Sequence, residues 1–182
     1  MPRKAGRLCR SIARTGAAEQ GCTTAGDTYP DRMISYKSPD LSQHPPRSPR
    51  IRLGGYAVLP RILDKARAHV AGRCGEYIWN NPLDQRLFTF LGVAAEDFLA
   101  AVKSGKSDTE MLAWVTAHGK PVRQAWEIEA WSSWVEKLAP GDATRHTRFA
   151  EDITKLCPGR EDIRTLFDRL DMDDYVTFGG AP

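Results

Sequence analysis

The chain has 182 residues, 41% hydrophobic and 27% charged, with a formal net charge of +3, the profile of a one-domain globular protein that can bury a core without disulfide or metal staples. Six of the 26 bases and three of the 23 acids lie in residues 1–32, so the rest of the chain holds equal numbers of each, and a neutral domain lacks the broad basic footprint of a nucleic-acid binder. No run of 18 apolar residues exists to span a membrane, and Cys9, Cys22, Cys74 and Cys157 show no CxxC spacing, which argues against a zinc ribbon or disulfide framework and for reduced thiols in a cytoplasm.

Residues 1–37 have no sustained apolar period and read as a disordered basic leader without the apolar stretch of a secretory signal. Translation starting at Met33 would make residues 1–32 an upstream extension. The expected helical domain covers residues 38–178, followed by a loose tail at 179–182. It opens with an arm from Ser38 to Arg52 in which Pro39, Pro45, Pro46 and Pro49 forbid a helix and favour an extended path.

Gly54-Gly55 bends the backbone before a helix over Leu59–Ala71, with Pro60 in its first turn, a stripe of Leu59, Ile62, Leu63, Ala66 and Val70, and Gly72 as its stop. Cys74 to Trp79 is a short strand candidate. Asn81-Pro82 opens a second helix ending at Gly92, a third covers about Ala94 to Lys103, and a capping box at Ser107–Glu110 opens a fourth that ends near Gly119. Pro121 begins a fifth running to Leu138. Asp142 caps a sixth that Cys157-Pro158-Gly159 breaks, and Glu161 or Asp162 opens a seventh, after which the acidic stretch from Asp171 reads as loose. The expected fold is therefore an all-α bundle of six or seven helices with at most one short β element, preceded by an extended Pro/Arg arm.

The run Asp40-Leu-Ser, Pro45-Pro-Arg-Ser-Pro-Arg50, Leu53-Gly-Gly-Tyr56, Leu59-Pro-Arg61 and Asp64-Lys-Ala-Arg-Ala68 resembles a family of small bacterial proteins catalogued only as a domain of unknown function. The resemblance continues through Gly75-Glu-Tyr77, Asn81-Pro-Leu-Asp84, Phe90-Leu-Gly92, Gly105-Lys-Ser-Asp108 and Trp114-Val115. It covers residues 38–120 well and the rest loosely. It implies that the leader is extra to the family's domain, and it brings no activity with it.

Function must therefore be sought in the residues. Arg47, Arg50, Arg52, Arg61 and Lys65 fall close together around Gly54-Gly55 and Tyr56. Arginine offers bidentate recognition of carboxylate or phosphate, and a helix start favours an anion. The expectation is a small-molecule binder or enzyme acting on an anionic metabolite, with these cations as its clamp, Tyr56 or Tyr77 orienting the ligand, and Asp64 or Glu127 handling any proton. Against it stands the plainer reading of a solvated face in which Asp64 pairs with Arg61 or Lys65. Glu127 projects between Trp134 and Leu138, where indoles would raise its pKa, unless it pairs with a base near the helix start. Asp168, Asp171, Asp173 and Asp174 read as solvated acids, with docking against the Arg arm as the alternative. His44, His69, His118 and His146 lack zinc-protease spacing, and P-loop, GxGxxG and GxSxG motifs are absent, so no metal or cofactor is expected. The competing function is a protein–protein interaction module using the arm or an exposed Trp face. Nucleic-acid binding through the arm is the weakest reading, and oligomeric state is left open.

Overall fold

A computed structural model describes residues 38–181. The expectations about the leader, including the start at Met33, lie outside the described residues. Those that are described form seven helices: α1 Leu59–Ala71, α2 Pro82–Leu91, α3 Ala95–Lys103, α4 Asp108–His118, α5 Ala125–Glu136, α6 Ala143–Leu156 and α7 Leu166–Thr177. The fold is all-α, and no described helix is long and apolar enough to cross a membrane.

Punctuation explains most boundaries. Pro60 sits in the first turn of α1, and Gly72 closes it in the left-handed conformation. Asn81 and Ser107 each cap a helix by a reciprocal capping box, with Asp84 and Glu110. Two starts differ from the sequence reading. α5 begins at Ala125, because Gln124 is its cap and Pro121 lies outside it after a cis peptide bond. α7 begins at Leu166, because Thr165 and Asp168 form a capping box. It then runs to Thr177, so the acidic stretch from Asp171 is helical, not loose.

The strand expected at Cys74–Trp79 is absent. That segment is a turn-rich loop in which Gly75 has φ of 55° and the Tyr77 N–H donates to the Cys74 carbonyl at 3.0 Å, and Asn80, just after it, has φ of 60°. A strand also needs a partner edge, and among the described residues the single bridge is between Leu53 and Tyr56, closed across Gly54-Gly55.

α1 is the hub. It packs on α3, α3 packs on α4, and α6 packs on α7. The main core gathers Leu59, Ile62, Leu63, Leu87, Phe98, Met111, Val115, Val135 and Phe167. Phe98 lies 5.2 Å from Phe88 and 6.0 Å from Trp79, ring to ring. A smaller cluster of Ile153, Cys157 and Met172 joins α6 to α7. The arm is no loose appendage: Pro39, Leu41, Pro46 and Pro49 are buried, and its backbone is tied at Leu41 N–H to Arg73 O (2.9 Å) and at Pro49 O to Val58 N–H (2.9 Å).

Gly92 holds α2 against the loop before α5. Its φ is +64°, and a Cβ there would sit 1.8 Å from the Lys120 carbonyl oxygen. Gly92→Ala is expected to cost about 2–4 kcal/mol, from the left-handed backbone and the forced separation together. Urea unfolding measures it; a cost under about 1 kcal/mol would mean the two segments part easily.

Candidate functional site

Ten consecutive residues of α1, Leu59 to Ala68, are buried. Its polar face is therefore enclosed by neighbouring elements instead of bathed in solvent. An enclosed charge is tolerated only with a partner, and each cation here has one. Arg61 makes a two-pronged pair with Asp174 of α7 (2.6 and 3.1 Å), and the Tyr77 hydroxyl donates to the same carboxylate at 2.7 Å. Lys65 Nζ lies 2.7 Å from both oxygens of Asp84 on α2. Arg67 donates to Asp108 at 2.6 Å and to the Lys106 carbonyl at 3.0 Å.

The arm follows the same rule. Arg47 spans Asp64 (2.8 Å to each oxygen) and Asp108 (2.5 Å). Arg50 pairs with Asp168 and, at 3.1 Å, with Asp171. Arg52 pairs with Glu129 (2.5 Å) and Glu136 (3.0 Å) of α5. The acids of α7 thus dock on the arm and on α1. The expected clamp residues are neutralised from within, by carboxylates of α1, α2, α4, α5 and α7.

The pKa directions reflect this burial. Desolvation pushes the Lys65 ammonium below its ordinary value and the Asp84 carboxyl above its own, while their mutual contact opposes both shifts. Burial and the Asp174 contact raise Tyr77. Burial acts to raise Asp108, but hydrogen bonds from Arg47 and Arg67 outweigh it and hold the carboxyl below 3.8. A depressed folded pKa gives stability that is complete above the unfolded value and lost as pH falls through the folded one. Wild-type urea midpoints should therefore drop on going from about pH 4 to about pH 2, and Asp108→Asn should show a smaller drop. Equal drops would detach Asp108 from the acid response.

The remaining candidates lie elsewhere. Tyr56 is 4% exposed, in the core, with its ring 6.5 Å from Phe90. Asp64 is committed to Arg47. Glu127 completes the α5 capping box with Gln124 and pairs with Arg123 at 3.3 Å. It is a cap near the helix start, the plainer of the two readings of its position.

The geometry points instead to a groove beside α1. One lobe, a cleft of about 490 Å³, has Arg61, Lys65 and Tyr77 in its wall together with Ile78, Leu83, Leu170, Glu76 and Asp173. The adjoining lobe, about 570 Å³, is lined by Arg86 of α2, Arg145, Arg148 and Asp152 of α6, and Arg169 of α7. The lobes share Pro82, Arg86, Leu166 and Arg169 and so form one groove. On α6, Arg145, Arg148 and Asp152 follow i, i+3, i+7 spacing and fall on one face.

Arg169 pairs with Asp152 at 2.9 Å, and Arg145 with Asp142 at 3.2 Å. Arg86 and Arg148 have no ion-pair partner among the described residues; the Arg86 guanidinium lies 5.9 Å from the Trp134 ring. The Nε–H of Arg169 is buried with no acceptor in reach. A larger cleft of about 670 Å³ between α3 and α4 has only Gly and Ala at half of its lining positions and holds a single Lys or Arg, Lys120. Sequence reasoning passed over Arg86, Arg148 and Arg169. Their spacing on each helix was visible, but nothing local says that three separate helices turn them toward one space.

The fold and groove define a small all-helical domain with a surface site of mixed charge. Over residues 43–176 the chain matches the family described as Domain of unknown function (DUF5069), and it belongs to that family. No curated protein matches the chain.

Proposed function

We propose that this domain binds a small anionic molecule in the groove between α2, α6 and α7. The observation that carries the reading is the convergence of Arg86, Arg145, Arg148 and Arg169 on a lobe with a single lining carboxylate, two of these arginines having no ion-pair partner. Guanidinium groups suit phosphate and carboxylate through planar, paired hydrogen bonds, and a buried donor without an acceptor favours a ligand that supplies one. The arm cation Arg50 acts one step back: through Asp168 and Asp171 it fixes α7, one of the helices that bear the groove, whereas Arg47 and Arg52 tie the arm to α1, α4 and α5. Arg61, Lys65 and Tyr77 form the groove's wall. The free thiols of Cys74 and Cys157 suit a reducing cytoplasm.

Thermal unfolding against phosphate, pyrophosphate, citrate and nucleotides tests the reading. A ligand at a hundred times its Kd should add about 2.7 kcal/mol, or roughly 5–10 °C. Arg148→Ala and Arg86→Ala should abolish the shift, and Arg52→Ala should retain it. An equal shift in all three variants, or none in wild type, would overturn the reading.

A second reading, an interaction module, rests on Val122, Trp126 and Trp134, which are 65%, 71% and 50% exposed along and before α5. Its simplest form is self-association. Sedimentation of wild type and Trp126→Ser over a range of concentrations would show it as a dimer that the substitution disperses.

A further inference from the structure

Resting on the anion-binding reading, we infer that the groove takes a dipolar ligand: a short molecule with an anionic group at one end and a protonated amine at the other. The argument is the order of charges along the floor. Arg86 and Arg169 belong both to the apolar-walled cleft and to the basic lobe, so they mark the end where the two meet. Glu76, Tyr77 and Asp173 border that same cleft and also the next cavity beyond it, beside Leu41 and Phe178, so they mark the opposite end. Neither Glu76 nor Asp173 has a hydrogen-bond or ion-pair partner among the described residues. The carboxylates of this region that are paired, Asp84 and Asp174, are saturated by Lys65, Arg61 and Tyr77.

The cleft therefore runs from two acids that no hydrogen bond or close ion pair engages, Asp173 feeling Arg169 and Arg61 only at longer range, past Ile78, Leu83 and Leu170, to two arginines. A simple anion would meet attraction at one end and repulsion at the other; a dipolar ligand is matched at both. The spacing follows from α7. Arg169 and Asp173 are four residues apart on one helix, which sets their backbone positions about 6 Å apart along the axis. The ligand's two charges should be separated by a similar length, the reach of an amine on a chain of a few carbons from a phosphate, phosphonate or carboxylate.

Calorimetric titration of the full chain with 3-aminopropylphosphonate, propylphosphonate and propylamine tests this. The aminophosphonate should bind about tenfold tighter than propylphosphonate, the gain expected from one charge-assisted contact. Asp173→Asn and Glu76→Gln should each reduce that advantage without weakening propylphosphonate binding, which also shows that the variants are folded. Equal affinity for the two phosphonates, or an advantage untouched in both variants, overturns the dipolar ligand and leaves anion binding standing. If neither phosphonate binds while pyrophosphate does, the dipolar ligand alone is overturned. If no anion binds, the reading beneath it falls as well.

Discussion

Asp84→Ala is expected to destabilise the domain by about 3–5 kcal/mol and to lower its melting temperature by roughly 10–15 °C. Lys65 and Asp84 are 2% and 0% exposed, and the ammonium contacts both carboxylate oxygens. Removing the carboxylate leaves a cation inside the fold with only the Ile78 carbonyl, at 3.4 Å, for company. The same carboxylate accepts the Asn81 N–H and closes the α2 capping box, so the box loses its reciprocal half in the same step, while the Asn81 side chain still accepts from the Leu83 and Asp84 N–H groups. Lys65→Met should cost less. Asp84 would keep its bond to the Asn81 amide and its place at a helix N-terminus, where a negative charge is favoured. Urea unfolding at neutral pH of the two single variants and the double variant measures the coupling. If Lys65→Met proved the more damaging, the ammonium's own packing would matter more than its partner.

Asp174→Ala is the second large effect, about 3–5 kcal/mol. This carboxylate accepts two bonds from Arg61 and one from Tyr77, and the Arg61 guanidinium also lies 5.5 Å from the Tyr77 ring centroid. Its loss leaves the Arg61 guanidinium with only the Arg47 carbonyl and the Tyr77 hydroxyl without its acceptor, and removes the chief tie between α1 and the C-terminal half of α7. Hydrogen exchange should therefore accelerate in α7 more than in α3 or α4, and ligand-induced stabilisation should weaken. Tyr77→Phe removes one donor and leaves the pair intact, so about 1 kcal/mol is expected. A uniform rise in exchange across all helices would show that Asp174 supports the fold as a whole and not α7 in particular.

The limits of the sequence are clearest on α1. Its span was readable to the residue from Pro60, Gly72 and the apolar stripe, because these are local signals. Its surroundings were not. Whether read as an anion clamp or as a solvated face, Arg61 and Lys65 were assigned to a surface, whereas both are interior. The deciding partners are remote: Asp174 is 113 residues from Arg61 and Asp84 is 19 from Lys65. Periodicity reports which residues share a face but not what lies across from it. The same blindness hid the groove, since Arg86, Arg148 and Arg169 belong to three helices whose relative rotation is a property of packing. At α5 and α7 the error was smaller in kind. Pro121 and Glu161 or Asp162 looked like openings, but Gln124 with Glu127 and Thr165 with Asp168 supplied better caps a few residues on. Either pattern could have been found by searching for a reciprocal pair three apart.

The specific matching of arm cations with carboxylates has a consequence for exchange between relatives. Each arginine reads a different address: Arg47 reads Asp64 and Asp108, Arg50 reads Asp168 and Asp171, Arg52 reads Glu129 and Glu136. The arm behaves as a key cut for one lock. A chimera that grafts the arm of another family member onto this body would assemble only if the acids on α1, α4, α5 and α7 travelled with it, however well the prolines and leucines agreed.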